Sequence, residues 1–263
     1  MNAVKQHWPE YLIEATLLAL FMLSACGFTI FLEHPASPGF RAIADPFVRR
    51  ALIGLAMGAT AIGLIYSPIG RRSGAHFNPS VTLTYFRLGK IRGTDAACYI
   101  VAQFIGGVAG VTIVMAMAGM LAAAPSVRYA ETIPAMGALR PALAAEFAIS
   151  FLTMTAVLVA SNSRALAPFT GVICGILVAC YATFEAPISG FGMNPARSFA
   201  SAVGTRDWRF LWVYFISPPA GMLAASEFYL RFRGTGRVFC AKLNHTGTSR
   251  CIFDCNYPAL QKS

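Results

Sequence analysis

Six long apolar stretches constrain the fold of this chain more than any other feature of its sequence. An α-helix needs about 20 predominantly apolar residues to cross the hydrocarbon core of a bilayer. Stretches that meet this need lie at residues 11–32, 48–67, 94–117, 140–160, 168–186 and 208–230. Only 12% of the 263 residues are charged, whereas soluble globular proteins carry about 25%. The sequence therefore predicts an all-α membrane protein with six transmembrane helices.

The basic residues indicate how these helices are oriented. The formal net charge is +10, but the lysines and arginines are scattered over short loops and helix ends, and this argues against a nucleic-acid partner. With the N-terminus in the cytoplasm, thirteen of the 21 basic residues fall in cytoplasmic segments, although Arg49 and Arg50 oppose the bias. Because cytoplasmic loops carry an excess of Lys and Arg, we predict a multi-pass protein with both termini in the cytoplasm.

Two Asn-Pro pairs divide the chain into two similar halves. The pairs begin at Asn78 and Asn194, which lie 194 − 78 = 116 residues apart, and each half has a glutamate early in its first apolar stretch, Glu14 or Glu146. With three helices in each half, the second half enters the membrane from the opposite side, so the repeat is an inverted one. The predicted channel domain covers 1–232, with repeats at about 8–120 and 139–232.

Each Asn-Pro pair is predicted to begin a short helix that enters only half of the membrane. The stretches that follow, 80–87 and 196–203, are too short to span a bilayer. Proline suits the first turn of a helix, and asparagine caps free N–H groups there. Two half-helices entering from opposite faces meet at the midplane, where irregular backbone is tolerated beside a water-filled cavity. Their positive ends repel cations while neutral molecules pass.

Residues 8–232, which contain both motifs, resemble the aquaporin and glyceroporin channel family. Segments 73–79 and 193–198 look like its two signature loops, and 102–107 resembles its third helix. The resemblance implies six transmembrane helices with two reentrant half-helices in an inverted repeat, one pore per subunit and a homotetramer. It assigns the pore motifs to Asn78, Pro79, Ser80, Asn194, Pro195 and Ala196.

The resemblance also gives a role to the two glutamates. Inside a membrane, Glu14 and Glu146 are costly and need hydrogen-bond partners. In the family such glutamates accept hydrogen bonds from the reentrant loops, so a loop-bracing role is expected here. The first motif departs from the family at Ser80, where alanine is usual, and this predicts a modest change in the pore lining.

Selectivity in the family depends on four positions near the outer mouth of the pore. Arg197 directly follows the second motif and corresponds to the cationic member of this filter. Ala182 and Phe191 look like the small residue and phenylalanine of glycerol facilitators, since water-selective members have histidine at the first of these places. The fourth position falls at Met57 or Gly58, depending on where one extra residue downstream is placed.

The filter leaves two alternatives for the solute. Ala182 and Phe191 favour a passive channel for water and small neutral solutes such as glycerol or urea, with ions and protons excluded. Ser198, where glycerol channels have aspartate, and the short loops favour a strictly water-selective aquaporin. We predict the mixed channel.

Other classes of membrane protein fit the sequence less well. An enzyme would need clustered catalytic groups, and the four histidines are dispersed over the terminus, loops and tail. They are His7, His34, His76 and His245. His76 adjoins the first motif and is either a pH-dependent gate or a hydrogen-bonded structural residue. A coupled transporter would use Glu14 and Glu146 as a relay, but their symmetric placement beside the loops favours bracing.

Residues 233–263 are predicted to form an exposed, poorly ordered cytoplasmic tail. Cys240, His245, Cys251 and Cys255 resemble a loose zinc-ligand set, but their spacing is irregular, and reduced thiols without a metal are preferred. Residues 244–246 fit a glycosylation acceptor that would not meet the glycosylating enzyme in the cytoplasm. No metal or cofactor is predicted, and the expected partners are lipid, water and small neutral solutes.

Overall fold

A computed structural model of the protein describes residues 3–245 and 250–262. The main helices are α1 (Ala3–Glu33), α2 (Pro46–Tyr66), α3 (Pro79–Arg87), α4 (Gly93–Ala118), α5 (Leu139–Ser161), α6 (Thr170–Phe184), α7 (Pro195–Thr205) and α8 (Leu211–Arg233). Short helices and 3-10 turns occur at Pro38–Ala42, Pro68–Ser73, Met120–Ala123, Arg128–Ala130, Ala167–Phe169, Ala186–Ser189, Thr235–Arg237 and Tyr257–Lys262. The described residues contain no strand, so the predicted all-α class is confirmed.

Six of these helices are long and two, α3 and α7, are short. By length and composition, five helices in the described ranges could cross a membrane, at Val4–Glu33, Pro46–Tyr66, Gly93–Ala118, Leu139–Ser161 and Ala167–Phe184. The sixth long helix, α8, is as long as α5 but is less apolar, because it holds Pro218, Pro219 and Glu227. It packs along α5 and completes the bundle.

Helix α1 begins eight residues before its predicted start. Its first turns carry polar side chains that find buried partners instead of water. His7 Nδ1 lies 2.7 Å from Oδ1 of Asp95, and the Tyr11 hydroxyl donates to the same oxygen at 2.5 Å. The Arg72 guanidinium pairs with Glu10 at 3.0 Å. Hydropathy alone did not reveal these pairs, which extend the helix beyond the apolar stretch.

The helices pack as an inverted repeat. In the first half α1 lies along α4, in the second half α5 lies along α8, and α2 packs against α6 across the two halves. Glycines allow the close approach. A Cβ atom on Gly106 of α4 would lie 2.0 Å from the carbonyl oxygen of Ala15, and one on Gly58 of α2 would lie 2.4 Å from that of Gly175. Small residues are typical of such helix contacts in membranes.

The contact at Gly106 yields a stability prediction. Gly106→Ala should lower the free energy of unfolding by about 1–3 kcal/mol, since the added methyl group meets the rigid backbone of α1. Gly27→Ala is the matched control, because a Cβ on this exposed helical glycine meets nothing within 4 Å. The measurement is thermal unfolding of the purified protein in detergent. Equal melting temperatures for the two variants would contradict the close packing.

The tail does not extend away from the bundle. All residues from Val238 to Asn244 are buried, and the backbone N–H of Leu243 donates to the carbonyl oxygen of Gly74 at 3.1 Å. The backbone N–H of Phe239 donates to Oδ1 of Asn162 at 2.7 Å. The expectation of an exposed tail is therefore corrected for these residues, because their apolar side chains cover the first reentrant loop. Thr246, the end of the proposed glycosylation acceptor, lies outside the described residues.

Candidate functional site

Two loops that precede α3 and α7 have the same backbone shape. Each has three residues with positive φ, at equal distances before its asparagine. The pairs are Gly74 and Gly190 (98° and 81°), Ala75 and Phe191 (56° and 52°), and Phe77 and Met193 (29° and 51°). Positive φ costs a non-glycine residue about 1–3 kcal/mol and persists only where neighbouring groups enforce it. The enforcing groups are the two buried glutamates.

Glu14 of α1 holds the first loop. Its Oε1 accepts hydrogen bonds from the Ser73 hydroxyl at 2.7 Å and from the backbone N–H of His76 at 3.1 Å. Its Oε2 accepts from the backbone N–H of Phe77 at 2.6 Å and from the Gln103 amide at 2.8 Å. Glu14 is fully buried, so these four hydrogen bonds compensate its carboxyl group for the loss of water.

Glu146 of α5 holds the second loop in the same way. Its Oε1 accepts from the Ser189 hydroxyl and from the backbone N–H of Gly192, both at 2.6 Å. Its Oε2 accepts from the backbone N–H of Met193 at 2.7 Å. The two halves thus repeat the same set of a serine hydroxyl and two backbone N–H groups. This geometry is what a loop-bracing role requires.

The two asparagines cap their helices and also join the two halves. Oδ1 of Asn78 accepts from the backbone N–H of Ser80 at 2.8 Å, and Oδ1 of Asn194 accepts from that of Ala196 at 3.1 Å. The Nδ2 amide of Asn78 donates to the carbonyl oxygen of Met193 at 2.9 Å. The Nδ2 amide of Asn194 donates to the carbonyl oxygen of Phe77 at 2.7 Å. An amide NH₂ group has two hydrogens, so one remains on each asparagine for a molecule in the pore.

The other motif residues have packing positions. Pro79 and Pro195 occupy the first turns of α3 and α7, where their missing N–H is not needed. Ser80 and Ala196 are fully buried, and the pore cavity described below is not lined by either. The expectation that Ser80 alters the pore lining is therefore corrected, because its side chain points into helix packing.

A cavity of about 530 Å³ runs between the two halves. Asn78 and Asn194 line it, together with four predicted filter residues. These are Met57, Ala182, Phe191 and Arg197. Gly58 does not line the cavity, since it faces Gly175 of α6 in the contact described above. Of the two alternatives for the fourth filter position, the geometry favours Met57.

The Arg197 side chain lines the cavity and has a nitrogen that is free to bind a molecule there. Its backbone N–H is capped by Oδ1 of Asn194 at 3.2 Å. Its Nη1 is buried and has no hydrogen-bond partner among the described residues. Ser198 is different, because it is buried and accepts a hydrogen bond from the Thr132 hydroxyl at 2.8 Å. The two adjacent residues therefore face different sides of α7, one toward the cavity and the other toward Thr132.

A group of ion pairs surrounds the cavity mouth on the Arg197 side. Arg128 and Glu131 line the cavity and pair at 2.6 Å. Arg128 also contacts Asp207 at 3.3 Å, and Arg209 binds Asp207 at 2.6 Å. The Arg209 guanidinium lowers the pKa of the Asp207 carboxyl to about 2, so these charges persist at neutral pH. The sequence did not reveal the group, because Arg128 and Asp207 are 79 residues apart.

The cavity mouth on the other side, which we call the tail-side mouth, is lined by His76 and Leu243. His76 Nε2 lies 2.8 Å from the carbonyl oxygen of Ala241, and Nδ1 lies 3.1 Å from the Thr82 hydroxyl. The imidazole ring stacks on Phe253 with 5.4 Å between ring centroids. Both ring nitrogens have partners, and this arrangement favours the structural role over the gate.

Six long helices surround two short helices whose N-terminal ends meet, and one cavity lies between the two halves. The model of the major intrinsic protein family matches residues 2–229, and the chain belongs to this family. The members of this family are membrane channels and not enzymes, and the chain is a multi-pass membrane protein.

Similar proteins agree with this assignment. The chain is 33% identical to a probable NIP-type aquaporin of Nicotiana alata over 68% of its own length and 65% of the relative. It is 35% identical to the probable aquaporin AqpM of Archaeoglobus fulgidus, over 67% of its length and 74% of the relative. The match thus spans less than two thirds of the plant protein. The crystal structure of the Plasmodium falciparum aquaglyceroporin superposes with a TM-score of 0.70 at 20% identity, covering 86% and 96% of the two chains, and shows the same fold.

Proposed function

We propose that the protein is a passive channel for water and small neutral solutes such as glycerol or urea, and that it excludes ions and protons. The observation that carries this proposal is the set of side chains that line the cavity. Arg197 lines it together with Met57, Ala182 and Phe191, so one hydrogen-bonding cation shares the cavity with an apolar wall. Such a wall suits the carbon backbone of a polyol, while the arginine binds its hydroxyls.

The alternative, a strictly water-selective aquaporin, was favoured by Ser198. The hydrogen bond from Thr132 and the burial of Ser198 weaken that argument, because the serine does not line the cavity. The names of relatives point both ways. Those found by sequence are called aquaporins, whereas the solved structure is called an aquaglyceroporin.

Ion exclusion follows from the charges along the cavity. The positive N-terminal ends of α3 and α7 meet where Asn78 and Asn194 line the cavity, and Arg197 adds a full charge. A cation that enters loses water and meets positive potential, while a neutral solute can replace its water with the asparagine amides and the arginine.

In the membrane the chain would lie in the lipid bilayer as a homotetramer with one pore per subunit and with both termini in the cytoplasm. Arg49, which opposed this orientation, is buried and pairs with Glu33 at 3.3 Å, so its charge is partly neutralised in the protein. The tail-side mouth is then the cytoplasmic one.

Stopped-flow light scattering on proteoliposomes tests the proposal. An impermeant osmolyte drives water efflux and shrinkage, and glycerol or urea then allows re-swelling if the channel conducts them. Rapid shrinkage followed by rapid re-swelling is expected. Rapid shrinkage with re-swelling no faster than in empty liposomes would favour the strictly water-selective alternative.

The filter assignment is tested in the same assay by a double substitution. Ala182→His with Phe191→Cys should reduce glycerol permeability at least about tenfold while water permeability changes little, because histidine narrows the cavity and replaces an apolar wall with a polar one. Gly63→Ala serves as a control, since a Cβ on this exposed glycine of α2 meets nothing within 4 Å and the position lies outside the cavity. Glycerol flux equal to that of the wild-type protein would exclude Ala182 and Phe191 from the filter.

A further inference from the structure

Four possible metal ligands meet in the described part of the tail. The Sγ atoms of Cys240, Cys251 and Cys255 and a ring nitrogen of His245 all lie within 4.8 Å of one another. Sγ of Cys240 is 3.6 Å from that of Cys251, and Sγ of Cys255 is 3.2 Å from Nε2 of His245. In a tetrahedral zinc site with bonds of about 2.0–2.3 Å, neighbouring ligand atoms are about 3.3–3.8 Å apart. The cluster therefore has the dimensions of a zinc site.

The fold explains why irregular spacing does not prevent this arrangement. Two segments of the tail, 239–242 and 250–256, lie side by side and are joined by hydrogen bonds. The backbone N–H of Asn256 donates to the carbonyl oxygen of Phe239 at 2.7 Å. The Lys242 ammonium donates to the carbonyl oxygen of Arg250 at 2.7 Å. Cys240 is thereby placed beside Cys251, so the irregular spacing no longer argues for unliganded thiols.

The surroundings of the three sulfur atoms suit bound thiolates. A backbone N–H group two residues further along the chain lies close enough to each sulfur to stabilise a thiolate there. The donors are Lys242 for Cys240, Phe253 for Cys251 and Tyr257 for Cys255. N–H donors around metal-bound groups orient them and stabilise their charge. The imidazole of His245 is held by stacking on Tyr257, with 4.2 Å between ring centroids.

The charge of the cluster also fits a divalent metal. Three thiolates and one Zn²⁺ ion leave one net negative charge, and the buried ammonium of Lys242 lies close enough to the thiols to balance it. Soft thiolates with one imidazole select zinc over magnesium or calcium. A disulfide fits less well, because the described cysteines are all free and any pair would leave the third thiol and His245 unused.

We propose that Cys240, His245, Cys251 and Cys255 bind a Zn²⁺ ion, and that this ion holds the tail across the tail-side mouth of the pore. The segment it secures carries Leu243, which lines the cavity, and Ala241, whose carbonyl oxygen contacts His76. Phe253, two residues after Cys251, covers the His76 ring. Loss of the metal frees this segment and widens the mouth. The effect on flux rests on the proposed channel function, whereas metal binding does not.

Metal analysis of the full-length protein tests the site. The wild-type protein purified under reducing conditions should contain about one zinc per chain. Replacement of zinc by Co²⁺ should give thiolate-to-metal charge transfer and the visible bands of tetrahedral cobalt. Cys251→Ser with Cys255→Ser should abolish both signals, and Cys180→Ser, an exposed cysteine of α6, should leave them unchanged. Absent signals in the wild-type protein, or a wild-type spectrum in the double variant, would overturn the site.

Flux measurements then test whether the metal ion holds the tail across the tail-side mouth. In proteoliposomes, removal of zinc by a strong chelator should raise water or glycerol permeability several-fold, and added zinc should reverse the change. The double variant should have the raised permeability from the start and be insensitive to the chelator, while Cys180→Ser should respond like the wild-type protein. Unchanged permeability after complete loss of zinc would overturn the role at the mouth. Proteoliposomes that conduct no solute in any state would instead overturn the proposed function, since the metal analysis decides the site independently.

Discussion

Valine in place of Arg197 is expected to raise proton and sodium permeability at least about tenfold, with water permeability maintained. A unit charge about 4 Å from a passing cation opposes it by about 4 kcal/mol at an effective dielectric constant of about 20. Each 1.4 kcal/mol or so corresponds to a factor of about ten. The positive ends of α3 and α7 remain in the variant and retain part of the barrier. The expected increase in ion permeability is therefore smaller than the increase that the full electrostatic contribution of Arg197 would give.

Proton entry is measured with a pH-sensitive dye inside proteoliposomes under an imposed pH gradient. Sodium entry is measured separately under an imposed voltage. Arg209→Val is the matched control, because Arg209 lies on the same side of the bundle but is exposed and paired with Asp207. This control should exclude ions as the wild-type protein does. Proton exclusion that is unchanged by Arg197→Val would remove the residue from the selectivity filter.

Glu146→Ala should destabilise the protein by about 2–6 kcal/mol and abolish transport. The substitution leaves the backbone N–H groups of Gly192 and Met193 buried without their acceptor, and each unsatisfied group costs about 1–3 kcal/mol. The left-handed residue Met193 would thereby lose the bond that holds its backbone. Because the same loop carries the filter and Asn194, relaxation of its backbone should close or deform the pore. Thermal unfolding in detergent and stopped-flow shrinkage measure the two effects.

Two further variants distinguish the loss of the hydrogen bonds that brace the loop from the loss of a negative charge. Glu227→Ala removes a surface carboxylate that pairs with Arg87 at 2.8 Å, and exposed pairs contribute less than about 1 kcal/mol, so little change is expected. Glu146→Gln keeps one acceptor oxygen but turns an NH₂ group toward an N–H donor, and an intermediate loss is expected. If Glu146→Ala were as stable and as permeable as Glu227→Ala, the carboxylate would not hold the loop.

Much of the architecture could be predicted from local features of the chain. Helices in a membrane satisfy their own backbone hydrogen bonds, so a run of about 20 apolar residues is almost sufficient to define one. The Asn-Pro pairs predicted the starts of α3 and α7 because capping and the proline ring act within one turn. The prediction was less accurate at the start of α1, where Asp95 and Arg72 satisfy polar side chains that a hydropathy argument assigns to water.

The orientation of side chains could not be read in the same way. Met57 and Gly58 are adjacent in α2, and only packing against Gly175 shows which one faces the cavity. Ser198 and Arg197 are also adjacent, yet one is buried against Thr132 and the other lines the pore. These assignments depend on how α2 and α7 are rotated within the bundle. The local sequence pattern of a helix does not specify this rotation.

The apolar stretches, the repeated Asn-Pro pairs and the two glutamates already determined that this chain is a membrane protein built from two inverted halves, since each of these signals acts over a few residues. The tertiary structure alone decided the position of the tail against Gly74 and the gathering of Cys240, His245, Cys251 and Cys255. Contacts between distant segments depend on the free energy of packing the whole chain. For this reason four residues with irregular spacing gave only a weak signal of a metal site until the fold brought them together.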